Sequence, residues 1–141
     1  MNDIQITQYS ATDFEAVNNL WVMVGMGGSE RGDTQQVIER TLNMGGILFL
    51  MRKNNQIIGT SWITSDARRL YLHHMCIHPD FQGQGLGRKL LNRCMEWAEN
   101  TGLQIKLEVN PTNQNAVHLY QSVGFKLLGD YQVFIVRSYN E

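Results

Sequence analysis

The chain has 141 residues, of which 43% are hydrophobic and 18% charged, and its formal net charge is −1. This length and composition predict one compact domain, residues 1–141, with a substantial core. The near-neutral charge argues against nucleic acid or a membrane surface as a partner. No apolar run is long enough to span a membrane, and the N-terminus lacks a signal-peptide pattern. We therefore expect a cytoplasmic protein whose two cysteines, Cys76 and Cys94, are buried thiols.

The first half of the chain predicts a strand, two helices and a hairpin. Alternating apolar and polar residues indicate the strands, and apolar residues at helical spacing indicate the helices. In chain order these are a strand at residues 4–7, a helix that opens with a capping box at residues 12–15 and continues to Val24, a loop at residues 25–29, a helix at residues 33–43, and strands at residues 47–51 and 56–64.

The second half predicts alternating strands and helices that end in another hairpin. In chain order these are a strand at residues 70–77, a helix from Leu86 to a stop at Gly102, a strand at residues 103–109, a helix at residues 113–123, and strands at residues 125–128 and 132–138. The complete order mixes hairpins with crossover connections. We therefore expect an α/β (α+β) fold with a mixed sheet of about seven strands and helices on both faces.

A glycine-rich loop lies between the predicted strand at residues 70–77 and the helix that follows. The loop reads Gln82, Gly83, Gln84, Gly85, Leu86, Gly87 and Arg88. Glycine lets the backbone approach a ligand closely, because no Cβ intervenes. The first N–H groups of a helix have no intrahelical partner, and the helix dipole favours negative charge there. The pattern therefore predicts a phosphate site, although the glycines could instead serve only a tight turn.

The spacing of the glycines decides which kind of phosphate site fits. A dinucleotide fingerprint fails because its last glycine would fall on Arg88 or Leu90, and a P-loop fails because it also needs glycine at Arg88. The loop does match Q/R-x-x-G-x-G/A through Gln82, Gly85 and Gly87. Together with residues 75–79 it resembles the acetyl-CoA loop of the GNAT superfamily of N-acetyltransferases.

A second motif supports this resemblance. Residues 113–125 match the N-x-x-A-x-x-L-Y-x-x-x-G-F pattern of the same superfamily at every fixed position. The resemblance implies that Asn113, also a helix N-cap, contacts the pantetheine or pyrophosphate arm of the cofactor, and that Tyr120 reaches its sulfur. It further implies the GNAT fold, a mostly antiparallel sheet whose fourth and fifth strands splay apart. The freed backbone of Met75, Cys76 and Ile77 would then lie along the pantetheine arm.

Acyl transfer to an amine needs a base, a donor for the carbonyl oxygen and an acid for the thiolate. Tyr120 is protonated at neutral pH and is the candidate acid, the alternative being a core tyrosine. His73 and Glu108 are the candidate bases by resemblance, and either could instead be an ordinary strand residue. Strand alternation places His73 on the face of Met75 and Ile77, with His74 opposite. We expect no metal, because His74 and His78 have helical ligand spacing but lie outside a helix.

These observations predict an acyl-CoA-dependent N-acyltransferase that transfers acetyl from acetyl-CoA to a primary amine by direct attack. The alternative is a non-catalytic acyl-CoA-binding or sensing module. The resemblance assigns the acceptor site to residues 20–33 and 129–136, with a small-molecule amine or a peptide N-terminus as acceptor. The resemblance also allows a homodimer that forms through sheet edges, which the sequence alone does not establish.

Overall fold

The computed structural model describes residues 3–140; the ends of the predicted domain, Met1, Asn2 and Glu141, lie outside the described residues. Within that range the strands are β1 (Ile4–Gln8), β2 (Ile47–Lys53), β3 (Gln56–Ser65), β4 (Arg69–Ile77) and β5 (Gln104–Lys106). The helices are α1 (Phe14–Met23), α2 (Gln35–Asn43), α3 (Leu86–Thr101) and α4 (Gln114–Ser122).

The five strands form one sheet in the order β1-β2-β3-β4-β5. Neighbouring strands are antiparallel except β4 and β5, which are parallel. Their pairing runs only from Arg69 with Gln104 to Tyr71 with Lys106, whereas β4 continues to Ile77. The two strands therefore separate beyond Tyr71. This geometry confirms the predicted mixed, mostly antiparallel sheet and the predicted splay.

Helices cover both faces of the sheet, as predicted, because each face carries its own apolar cluster. The first cluster packs the sheet against α3, and its helical members are Leu90, Leu91, Cys94 and Ala98. The second packs the sheet against α1 and α2, and its helical members are Val17, Leu20, Trp21 and Ile38. Helix α4 adds Leu119, Tyr120 and Val123 to the first cluster. The opposite faces of the sheet thus carry different helices, α1 and α2 on one and α3 and α4 on the other.

The predicted C-terminal hairpin and the seven-strand count are wrong. No strand is assigned after β5 in the described residues, and β5 has three residues instead of the predicted span 103–109. A strand needs a partner edge for its backbone N–H and C=O groups, and sequence alternation alone does not supply one. Residues 107–109 leave β4 at the splay, and the side chains of residues 127–136 are exposed.

The N-terminal boundary of α1 also differs from the prediction. The capping box is formed by Ser10 and Asp13 instead of residues 12–15, and the Ser10 N–H donates to Asp13 Oδ2 at 2.9 Å. A short 3-10 turn at Ala11–Asp13 precedes the helix and moves the cap toward the N-terminus. Asp13 is held there by Arg52 of β2, whose Nη2 lies 2.7 Å from Asp13 Oδ1.

Candidate functional site

A β-bulge interrupts β4 at His74 and Met75, which together stand opposite Ser61 of β3. His74 adopts a left-handed backbone conformation with φ of 44°, which is uncommon for a residue other than glycine. Such a bulge inserts one extra residue into a strand and changes the direction of the side chains that follow. The bulge lies just beyond the point where β4 and β5 separate.

The bulge brings two histidines to the same face of the sheet. The rings of His73 and His74 both contact Trp62, with centroid distances of 5.9 and 5.6 Å, on the face covered by α1 and α2. Met75 and Ile77 pack into the opposite cluster with α3. The predicted sharing of a face by His73, Met75 and Ile77 is therefore wrong, because alternation holds only along an unbroken strand.

A buried hydroxyl secures the backbone at the bulge. Thr60 is fully buried, and its Oγ1 donates to the His74 carbonyl at 2.7 Å while it accepts from Trp21 Nε1 at 2.8 Å. The Cys76 sulfur lies 3.3 Å from the same hydroxyl. Burial raises the pKa of the Cys76 thiol, so it stays protonated and is a poor nucleophile. The side chain of Cys76 therefore belongs to the core.

The separation of β4 and β5 opens a cleft of about 380 Å³. Five of the residues that the sequence indicates for the site line it, namely His73, Met75, Glu108, Asn113 and Tyr120. Met26, from the predicted acceptor segment 20–33, also lines it, and so do three residues that were not predicted as site residues, namely Tyr71, His74 and Asn110. Because the sheet is open here, side chains from its two faces can meet in a single cleft.

His73 is placed in this cleft as a neutral imidazole. Its Nε2 lies 2.9 Å from Thr64 Oγ1, and its ring stacks on Tyr71 with a centroid distance of 4.3 Å. Burial, followed by the charge of neighbouring His74, lowers the pKa of His73 below its usual value. A neutral imidazole at pH 7 can accept a proton, as a general base must.

Tyr71 connects His73 to the carboxylate of Glu108. Burial, followed by the hydrogen bond and charge of Glu108, raises the pKa of Tyr71 well above its usual value, so its hydroxyl remains a donor. Lys106 lies over the Tyr71 ring, with its Nζ 5.3 Å from the centroid. The signal that could have revealed Tyr71 is its position two residues before His73, which places both on one face of β4.

Tyr120 reaches the cleft from α4, on the opposite face of the sheet. Its ring meets Phe125 edge-on at a centroid distance of 5.8 Å. Burial raises the pKa of Tyr120, so the phenol is protonated across the neutral range. Asn113 begins the same helix as its N-cap, with its Oδ1 accepting from the Ala116 N–H at 3.3 Å. The second motif thus fixes both the start of α4 and the phenol at the cleft.

The glycine loop lies outside the cleft lining, between the end of β4 and the start of α3. Gly83 and Gly85 have φ values of 77° and 76°, and a Cβ added at either would meet nothing within 4 Å. Gly85 is the N-cap of α3, so the first N–H groups of that helix adjoin this open side. A Cβ at Gly87 would instead make ordinary van der Waals contact with Leu119 at 3.5 Å, so this glycine faces α4 and not the open side of the loop.

Two polar side chains of the loop form hydrogen bonds to neighbouring elements. Gln82 Nε2 donates to the Ile77 carbonyl at 2.9 Å, and Arg88 Nη1 donates to Ser122 Oγ at 3.1 Å. Gln84 is exposed, and Leu86, the first residue of α3, packs onto the core. The side chains thus hold the loop against β4 and α4, while the backbone at Gly83 and Gly85 stays open.

Two negative observations apply to residues 3–140. No group of three or more His, Cys, Asp and Glu side chains in this range could hold a metal ion. None of the helices described there combines the length and the apolar character needed to cross a bilayer.

Comparison with known families identifies the chain. The family model described as "Acetyltransferase (GNAT) family" matches residues 14–125, which include both motifs and the cleft residues of β4, β5 and α4. The chain belongs to the GNAT acetyltransferase family. The predicted superfamily is therefore confirmed, and the predicted enzyme class, an N-acetyltransferase, is confirmed at the level of the family.

Three relatives of this GNAT protein show the extent of the similarity. An L-amino acid N-acyltransferase of Escherichia coli K12 is 41% identical over 66 residues, which are 45% of this chain and only 38% of that enzyme. An acetyltransferase of Pectobacterium atrosepticum is 29% identical over 87% of this chain and 88% of its own. An aminoglycoside N-acetyltransferase solved in complex with CoA superposes with a TM-score of 0.75 at 18% identity, over 99% of this chain and 97% of its own. The last similarity confirms the fold.

Proposed function

We propose that this GNAT protein transfers an acyl group, most often acetyl, from acyl-CoA to a primary amine by direct attack. The observation that carries the proposal is the cleft between β4 and β5, which is lined by His73, Glu108 and Tyr120, and β4 leads from this cleft to the glycine loop at the N-terminus of α3. A base, an acid and an anion-accepting helix end are the groups that transfer from a thioester to an amine requires.

The coenzyme A site that we propose follows the chain from the glycine loop to the cleft. Backbone N–H groups of residues 82–88 bind the diphosphate, supported by the open space at Gly83 and Gly85 and by the dipole of α3. The backbone of residues 75–77 and the side chain of Asn113 flank the pantetheine arm. When bound, acetyl-CoA supplies the thioester whose acyl carbon is attacked.

Each cleft residue has one role in the proposed reaction. His73 takes the proton from the acceptor ammonium, since burial keeps its imidazole neutral. Glu108 attracts the cationic acceptor, and its charge stabilises the imidazolium that forms on His73. A backbone N–H left unpaired by the bulge donates to the carbonyl oxygen as charge develops on it. Tyr120 gives its proton to the departing thiolate.

The acceptor that we propose is a small primary amine, with a peptide N-terminus as the larger alternative. The named relatives act on L-amino acids and aminoglycosides, both of which present amines. A cleft of about 380 Å³ that also admits the end of the pantetheine arm leaves room for a small group. The test is release of free thiol from acetyl-CoA with a panel of spermidine, L-phenylalanine, neamine and a short peptide. Coenzyme A binding without thiol release for any amine would instead indicate a binding module.

We expect kcat/KM for the acceptor to fall as the pH drops below the pKa of His73. Protonated His73 cannot accept the amine proton, and its pKa is lowered from 6.5, so the loss lies on the acid side of that value. His73→Gln should remove this fall of kcat/KM at acidic pH and lower turnover. Glu108→Gln should retain the fall at acidic pH, with a lower kcat/KM at every pH. A pH–rate profile of the three proteins measures this. If the fall at acidic pH persisted in His73→Gln, a group other than His73 would be responsible for it.

We also propose that the protein forms a homodimer through its C-terminal segment. Between residues 127 and 139, eight large apolar or aromatic side chains are each at least 65% exposed. Exposed apolar side chains concentrated in one segment in this way are typical of a protein interface. Light scattering coupled to gel filtration should give twice the monomer mass of 16.2 kDa. A monomer at micromolar concentration would refute the dimer.

A further inference from the structure

The loop between α1 and α2, residues 24–34, borders the cleft and is rich in glycine. It contains Gly25, Gly27, Gly28 and Gly32, all with positive φ. Met26 of this loop is part of the cleft lining. A segment of this composition loses much conformational entropy when it is ordered, so its position depends on a small number of specific contacts.

Besides the packing of Val24 and Met26 against the second apolar cluster, two side-chain hydrogen bonds tie this loop to elements other than α2. Near its middle, the Ser29 N–H donates to Asn18 Oδ1 at 2.9 Å, which links the loop back to its own helix α1. Near its end, Asp33 Oδ2 lies 2.8 Å from His74 Nε2 on β4. Of these two hydrogen bonds, the second is the one that joins the loop to β4, the strand that forms the cleft.

The His74 ring is held in position independently of Asp33. It meets the Trp21 ring edge-on at a centroid distance of 4.6 Å and the Trp62 ring at 5.6 Å. These two tryptophans stack on each other at 5.5 Å. The Thr60 hydroxyl holds the His74 carbonyl at 2.7 Å, which secures the left-handed backbone below the ring. His74 is therefore a fixed anchor to which the glycine-rich loop attaches.

The pair is partly shielded from water. The side chains of His74 and Asp33 are 22% and 23% exposed, respectively. Ion pairs that are fully exposed contribute little, because solvent screens them and both side chains lose entropy. Here one side chain is already fixed by aromatic packing, so less entropy is lost when the bond forms.

We propose that the Asp33–His74 pair is a clamp that positions the α1–α2 loop over the cleft and thereby sets the affinity for the acceptor. His74 is in this role a positioning residue, while its neighbour His73 handles the proton. The bulge of β4 makes this division possible, because it turns both histidines to the face that carries the loop. The inference rests on the proposed acyl transfer for its kinetic part only.

The test compares Asp33→Ala, His74→Asn and the double variant. Asparagine tolerates the left-handed backbone at position 74 but is too short to reach Asp33. At about pH 8, where His73 is neutral with or without the charges of His74 and Asp33, each single change should raise the acceptor KM roughly fivefold or more, with kcat and the Kd of CoA changed less than about twofold. The double variant should match the larger single effect, because both changes break the same bond. Amide hydrogen exchange in residues 25–33 should accelerate in all three.

His118→Gln, an exposed histidine of α4 outside the cleft, is the matched control and should behave as the unaltered protein. The acceptor for the kinetics is whichever of spermidine, L-phenylalanine, neamine or the peptide is turned over. Unchanged hydrogen exchange in the loop would overturn the clamp. Faster exchange with an unchanged acceptor KM would also overturn it. So would a KM increase in the double variant equal to the product of the two single increases. If no amine is turned over, the exchange result alone decides, so failure of the clamp and failure of the proposed function remain distinguishable.

Discussion

Replacing Gly85 by Asp is expected to lower the affinity for coenzyme A about a hundredfold or more. Gly85 is the N-cap of α3, and its open side is where we propose that the diphosphate binds. A carboxylate at this position would accept the same backbone N–H groups and repel the phosphates at close range. Isothermal titration calorimetry with coenzyme A measures the loss directly, without any acceptor.

The same helix offers a matched control for this substitution. Gly102 ends α3 with φ of 73°, close to the 76° of Gly85, and a Cβ there also meets nothing within 4 Å. Gly102→Asp therefore imposes a similar backbone strain at the far end of the helix and should leave binding intact. Asparagine has nearly the same size and shape as aspartate but no charge. Gly85→Asn should therefore weaken coenzyme A binding less than Gly85→Asp. Equal affinities in Gly85→Asp and Gly102→Asp would refute the phosphate site.

Replacing Tyr120 by Phe is expected to reduce kcat about tenfold or more while the Kd of CoA stays nearly unchanged. The substitution removes only the hydroxyl, so the ring still packs edge-on against Phe125 and α4 keeps its position. Burial holds the phenol in its protonated form, which is the form that can protonate a thiolate. Steady-state kinetics with acetyl-CoA and a turned-over amine, together with calorimetry, give both quantities.

Tyr9→Phe is the control for this change, since Tyr9 lies outside the cleft and its buried hydroxyl has no hydrogen-bond partner among the described residues. Its turnover should equal that of the unaltered protein. If Tyr120→Phe also kept full turnover, Tyr120 would have no part in the chemistry. An equal loss of CoA affinity and turnover would instead identify Tyr120 as a binding residue.

Local patterns predicted most of the elements that surround the cleft. Helix α3 begins at Leu86 and ends before Gly102 as predicted, because caps and apolar spacing are properties of a few neighbouring residues. Asn113 caps α4 for the same reason. Of the predicted strand at 103–109, only Gln104–Lys106 is a strand in the structure. The length of β5 depends on its partner β4, and the two strands separate beyond Tyr71.

The sequence by itself determined the family, the order of most elements, the glycine turn before α3 and the motif that carries Tyr120, because each is written in residues close together along the chain. Only the tertiary structure decided that His73 and His74 share a face. The bulge arises from the pairing of β3 with β4 and from the hydrogen bond of the Thr60 hydroxyl to the His74 carbonyl, which lies 14 positions further along the chain. The meeting of Asp33 with His74, and of Tyr71 with Glu108, likewise depends on how distant segments pack, which periodicity along one segment does not encode.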